Sequence, residues 1–275
     1  MLNKILSMLM AVIMFFSVNT GSAAINEELQ NNVPLLDSET ETQEAGARQN
    51  PPVQEAVPEE KEEKEEESKR IIDPDKPMIA LTFDDGPSKY TSEILETLKS
   101  NNSSATFFVL GQEADKYKDT VKLIIEEGSE VGNHTYNHKD LTKLSDEEIN
   151  NQILNTENLI YGSSGYISSL VRPPYGASDA NLNKKISRPI IKWSVDTRDW
   201  QSRDAQKVTS HVLNTVKDGD IVLMHDIYES TNEASKTFIP KLVEMGYQLV
   251  TISELAEYRG FPLTPGQQYY KMPKE

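Results

Sequence analysis

Apolar runs alternate with amphipathic stretches along residues 73–275. They predict an α/β fold: a distorted TIM-like (β/α) barrel of about seven parallel strands in one domain. Three observations predict it. The apolar runs lack alternating polar positions, so each strand should be buried on both faces, as strands of parallel sheets are. The stretches between them carry apolar residues at helical spacing. Acidic and imidazole side chains recur directly after the runs, where barrel strands deliver their C-terminal ends to one shared rim.

The first strand is read at 78–83, where Met-Ile-Ala-Leu-Thr-Phe is almost wholly apolar. A helix follows at 92–98, with Ile94, Leu95 and Leu98 on one face. The run 105–110 reads as the next strand, and 117–127 as a helix that gathers Tyr117, Val121, Ile124 and Ile125. Residues 130–132 form a short strand. Ser145-Asp146-Glu147-Glu148 is a capping box that opens a helix through Ile149, Ile153 and Ile160. Leu170-Val171 reads as strand, 179–186 as helix, 190–195 as strand and 205–216 as helix. The Asp218-Gly219 turn leads into a strand at 220–224. A helix at 236–245 ends at Gly246, a strand covers 247–252, and Ser253-Glu254 opens a last helix.

Two other segments precede this domain. Lys4 and the apolar run 5–18, followed by Ser22-Ala23-Ala24, make residues 1–24 a secretory signal. The run is short for a bilayer span; left uncleaved, it would instead tether the chain to a membrane. Residues 25–72 read as a disordered acidic linker: 25–70 hold 14 acids and 5 bases, with few large apolar side chains to offset ordering entropy. No cysteine occurs, which excludes disulfides, thiolate nucleophiles, cysteine zinc sites and a lipoprotein anchor. Residues 73–275 carry 30 acids against 22 bases, so no basic stripe exists for nucleic acid. The chain is expected to be exported, extracellular or bound to the cell wall, and monomeric.

The residues after the strands carry the chemistry. Asp84-Asp85-Gly86-Pro87 ends the first strand. Adjacent side chains diverge, so the two carboxylates can do different jobs, although the same four residues also read as a plain turn. His134 and His138 are four apart and can present both imidazoles to one side; alone, such a pair also reads as surface or packing histidines. An oxygen from Asp85 would complete a two-histidine, one-carboxylate set with coordination positions left open. Those ligand types suit zinc best, and cobalt, nickel or manganese also fit.

Arg172 precedes the stiff loop Pro173-Pro174-Tyr175-Gly176 and either pairs with a carboxylate or lies in solvent. Trp200 offers a flat face for a sugar ring or a cap for the barrel. Asp199 can orient a histidine and raise its pKa. His225 ends the strand 220–224, and an imidazole there, near a carboxylate, suits proton donation at neutral pH. His211 lies inside the helix 205–216, away from the rim, and is set aside. A serine-nucleophile relay is a poorer account, because the rim histidines serve better as ligands and acid.

TFDDGP at 82–87, HTYNH at 134–138, RPPYG at 172–176, DTRDW at 196–200 and LMH at 223–225 occur in that order. This set resembles the NodB-like polysaccharide deacetylases, the fourth carbohydrate esterase family, over roughly 76–258. The resemblance implies Asp84 as general base and Asp85, His134 and His138 as ligands of one divalent metal. It implies that Arg172 orients Asp84, that the Tyr175 N–H supports an oxyanion, and that Asp199 supports His225 as general acid. Trp200 and Leu223 would wall the pocket for an acetyl methyl group; Asp196 lies in a motif without a clear role. The implied reaction removes the N-acetyl group from N-acetylglucosamine residues of a cell-wall polysaccharide, peptidoglycan first. Chitooligosaccharide, exopolysaccharide and acetylxylan are alternative substrates, and a non-catalytic carbohydrate-binding relative is the alternative outside enzymes.

Overall fold

The computed structural model describes residues 70–274. The predicted signal 1–24 and the linker 25–72, save its last three residues, lie outside the described residues. The elements in chain order are β1 (Met78–Asp84), α1 (Thr91–Ser100), β2 (Thr106–Val109), α2 (Gly111–Lys116), α3 (Lys118–Glu126) and β3 (Glu130–Asn133). Then come α4 (Asp146–Ser164), α5 (Ala180–Lys185), β4 (Ile190–Ile191), β5 (Val195–Asp196), α6 (Asp199–Ser202) and α7 (Ala205–Thr215). The chain continues through β6 (Ile221–His225), α8 (Glu229–Glu244), β7 (Gln248–Leu249), α9 (Ile252–Arg259) and β8 (Gln268–Tyr269).

β1 is the axis of the fold because none of its residues reaches solvent to any extent. It pairs in parallel with β6 on one side, from Ala80–Ile221 to Asp84–His225. On its other side it pairs with β2 at Thr82–Asp84 and, lower down, with β7 at Met78 and Ile79. β2 continues to β3, and β6 to β5, again in parallel. Single parallel bridges, Asn133–Val171 and Val171–Ile190, carry the pairing from β3 to β4. The parallel α/β sheet is as expected, with ladders running β3-β2-β1-β6-β5 and β7 on β1; β4 joins only through single bridges and pairs with β8, so among the described residues no ladder closes the sheet into a barrel.

Helices seal the sheet. Phe83 and Phe107 stack with centroids 5.1 Å apart at the centre of the larger apolar cluster, which also takes in Ile94, Ile124, Val212 and Phe238. Each such side chain, fully buried, contributes about 1.5–3 kcal/mol by transfer from water. The Ser145 capping box forms, with Ser145 and Glu148 bonding each other's backbone N–H at the start of α4.

Several elements differ from the sequence reading. Leu170-Val171 supplies only bridges, because both neighbours pair with it at one residue. The strand read at 190–195 is broken into β4 and β5: Lys192 N–H bonds Tyr269 and Ser194 N–H bonds Ile221, so the segment changes partner midway. α8 begins at Glu229, well before 236, since Thr231, Ala234 and Ser235 pack inward. α9 is capped by Thr251 in a second capping box with Glu254, which ends the preceding strand early. β8 was not anticipated; its two residues pair with β4.

Candidate active site and metal centre

The register delivers the site. Because Asp84 is paired with His225 on β6 and with Phe108 on β2, and Val109 with Asn133, the C-terminal ends of β6, β1, β2 and β3 lie side by side. Asp85 turns out of β1 with φ of 73°, a left-handed backbone that swings its side chain away from that of Asp84. Asp85 Oδ1 lies 3.5 Å from His134 Nε2 and 3.5 Å from His138 Nε2. His138 reaches this point through two further left-handed residues, Thr135 and His138 itself. Its ring meets Tyr175 edge-on at 4.5 Å.

The three side chains fit a metal on their own chemistry. One ligand atom from each lies within 4.8 Å of the others. Asp85 Oδ1 is buried and has no hydrogen-bond partner, a costly state unless something cationic completes it. His134 Nδ1 lies 2.7 Å from the Arg172 carbonyl, which only accepts; Nδ1 therefore donates and Nε2 keeps its lone pair toward Asp85. Burial pushes the His134 imidazole down to about 3, so it stays neutral and able to ligate. Asp85, His134 and His138 would hold the ion.

Arg172 is not a solvated surface residue. It is fully buried and lies over the Phe108 ring at 4.1 Å. Its Nη1 donates to Thr82 Oγ1 and Asp84 Oδ1, both at 2.7 Å, while Nε and Nη2 donate to the carbonyls of Ile191 and Lys192. One residue thus holds both halves of the site: its guanidinium fixes Asp84 and its carbonyl fixes His134. Burial pushes the Asp84 carboxyl up, while Arg172 and then His225 pull it back. Asp84 Oδ2 stays 3.7 Å from His134 Nε2, beside the metal position.

The second arm is His225 with Asp199. Asp199 is wholly buried at the start of α6. Its Oδ1 lies 2.8 Å from His225 Nδ1 and accepts the Trp200 N–H; its Oδ2 accepts the His225 N–H at 2.7 Å. Burial alone would lower the His225 pKa, but the hydrogen bond and charge of Asp199 outweigh it and raise it to about 9. Trp200 is half-exposed, Leu223 is buried on β6 beside Asp84's strand, and Tyr175 stands exposed on its turn. Asp196 spends its Oδ1 on the Arg198 N–H, a local turn bond. His211 is exposed on α7.

Sequence reasoning missed three supporting residues. Thr82 accepts from Arg172 and donates to the Val222 carbonyl at 2.6 Å, and it is visible only as part of TFDDGP. Thr231, buried in the first turn of α8, donates to Asp199 Oδ2 at 2.8 Å. Asp226 is buried beneath the loop after β1 and accepts from Thr91. No local pattern marks the last two; only the packing of α8 and β6 on the rim reveals them.

A family model described as polysaccharide deacetylase matches residues 72–189. The solved structure of peptidoglycan deacetylase PdaC from Bacillus subtilis is 43% identical, with a TM-score of 0.68, covering 69% of this chain and 94% of that one. The chain belongs to the polysaccharide deacetylase family. A family 4 acetyl xylan esterase from Clostridium thermocellum, solved with a cobalt ion, is 31% identical with a TM-score of 0.68, over 71% of this chain and 99% of that one. Peptidoglycan-N-acetylglucosamine deacetylase PgdA from Listeria monocytogenes is 48% identical over 193 residues, 70% of this chain and 41% of the relative. Among full-length curated relatives, the chain thus spans about two fifths of PgdA, and of PdaC, the Bacillus subtilis peptidoglycan-N-acetylmuramic acid deacetylase (43% identical, 68% of this chain, 40% of the relative).

Proposed function

We propose that this chain is an exported, monomeric, metal-dependent hydrolase that removes acetyl groups from N-acetylglucosamine residues of peptidoglycan. The observation that carries the reading is the pair of opposed arms: Asp84 held by Arg172 on one side, His225 held by Asp199 on the other, paired across β1 and β6. The triad of Asp85, His134 and His138 would hold one divalent ion, zinc by ligand type. That ion supplies a Lewis acid that polarises an acetyl carbonyl and acidifies water.

The residues divide the remaining work. Asp84, kept ionised by Arg172 yet made more basic by burial, takes a proton from the attacking water. The Tyr175 backbone N–H would serve as a donor to the oxyanion that develops on the carbonyl. His225, charged at neutral pH, gives its proton to the departing sugar amine, and Asp199 holds the ring in place throughout. Leu223 and Trp200 enclose the acetyl methyl group, and the exposed Trp200 and Tyr175 faces suit sugar rings. Residues 1–24 supply export, and the acidic linker spaces the domain from the membrane or wall.

The test measures acetate released from purified peptidoglycan, chitin oligomers and acetylxylan, with and without chelator. Release from peptidoglycan that stops on chelation supports the reading. Release from acetylxylan alone would replace the substrate, and release from none would leave a binding module.

A further inference from the structure

Six arginines lie among the described residues, and four of them pair with carboxylates: Arg70 with Glu254, Arg172 with Asp84, Arg188 with Glu157 and Arg259 with Asp218. The two that pair with none are Arg198 and Arg203, both exposed, which bracket α6 and therefore Trp200. Both adopt left-handed backbone, with φ of 53° and 49°. That conformation is uncommon for a residue with a Cβ and concentrates where a site requires it.

Arg203 is also held in place. Its Nε donates to the Trp200 carbonyl at 2.9 Å, and its Cζ lies 3.2 Å from the centre of the Tyr228 ring. Tyr228 in turn lies 5.7 Å, ring to ring, from His225. A guanidinium is thus fixed on an aromatic face, one ring removed from the proposed acid. A stacked, oriented guanidinium is the group that best matches a carboxylate by two parallel hydrogen bonds. The surrounding domain, by contrast, has 30 acids to 22 bases and repels anionic polymers.

We propose that Arg203, stacked on Tyr228 beside His225, is a carboxylate-binding subsite for the sugar that flanks the one being deacetylated. The ligand class is a glycan with a free carboxylate on alternate sugars, as the lactyl ether of muramic acid provides where no peptide is joined to it. This rests on the deacetylase reading and refines it: a neutral polymer occupies the same catalytic centre but makes no use of Arg203.

The experiment compares wild type, Arg203→Gln and Arg203→Lys on two tetramers of equal length. One alternates N-acetylglucosamine with N-acetylmuramic acid bearing free lactyl carboxylates; the other is a chitin tetramer. Acetate release gives kcat and KM, and calorimetry gives binding to the same proteins. Arg203→Gln should lose roughly tenfold or more in kcat/KM on the carboxylate tetramer, mostly in KM, and stay within about twofold on chitin. Arg203→Lys should recover part of the loss, since it restores charge without the fork. Equal losses on both tetramers would assign Arg203 to structure, and no loss on the carboxylate tetramer would remove the subsite. If wild type releases no acetate from either, the deacetylase reading fails, while calorimetry still decides the subsite: an Arg203-dependent preference for the carboxylate tetramer supports it, and equal binding overturns it.

Discussion

Replacing Asp199 with Asn should collapse the proton affinity of His225. Asp199 Oδ1 lies 2.8 Å from His225 Nδ1, and its Oδ2 accepts the His225 backbone N–H at 2.7 Å and the Thr231 hydroxyl at 2.8 Å. The imidazole stands at about 9 against an ordinary 6.5, a rise of about 2.5 units, or about 3 kcal/mol at roughly 1.4 kcal/mol per unit. Burial lowers it while the Asp84 and Asp85 charges still raise it, so without the Asp199 hydrogen bond and charge it should fall well below 9. The consequence for stability has a definite sign. A histidine raised in the folded state adds stability that is complete below about 6.5 and fades as pH climbs through about 9. The gap in unfolding free energy between wild type and Asp199→Asn should therefore be widest below pH 6.5 and narrow toward pH 9. The Asn amide would also confront the His225 or Thr231 donors, at a further cost of about 1–3 kcal/mol. The assay is the pH dependence of kcat/KM, with NMR titration of the His225 ring. The alkaline limb should move from near 9 to well below it. A limb that stays put would show that Asp199 does not set the charge of His225, and the acid assignment would fall with it.

Asp84→Asn should keep the metal, since Asp85, His134 and His138 are untouched, yet lower kcat about 10²–10⁴-fold; metal analysis beside acetate rates checks this, and retained turnover removes Asp84 as base. Metal removal, by chelator or by His134→Ala, should abolish acetate release. In wild type, re-addition of zinc or cobalt should restore it and raise the melting temperature, by about 4 kcal/mol of stability at a thousandfold excess over Kd; no thermal shift on metal addition contradicts the triad. Gly132→Ala should destabilise by about 1–3 kcal/mol, because a Cβ there would sit 2.3 Å from Phe108 Cδ1 inside the β2–β3 pairing; an unchanged denaturant midpoint would refute the packing.

Much of the domain was legible from residues 78–258 because its signals are local. Buried runs such as 78–83 have no other way to hide both faces, and Ser145 with Glu148 is a self-contained cap. The candidate site was legible for a related reason: its residues follow strands, and the parallel arrangement sends every such residue to one rim. Elements that depend on distant partners were not. Thr251 was missed as the cap of α9, the kink between β4 and β5 answers to Tyr269 and Ile221, and β8 is defined by its pairing with β4, far back along the chain.

By itself, then, the chain's order of residues determined the α/β class, the identity of the acids, imidazoles and arginine at the rim, and the chemistry those groups can perform. Tertiary structure decided what each one is: that Arg172 is a buried pillar bonded to Asp84 through its guanidinium and to His134 through its carbonyl. It also decided that Thr231 and Arg203, which no motif marks, stand against Asp199 and Tyr228. The physical reason is range. Propensity, capping and burial patterns act over a few neighbouring residues, whereas desolvation and charge pairing depend on which distant side chains the sheet register brings within a few ångströms.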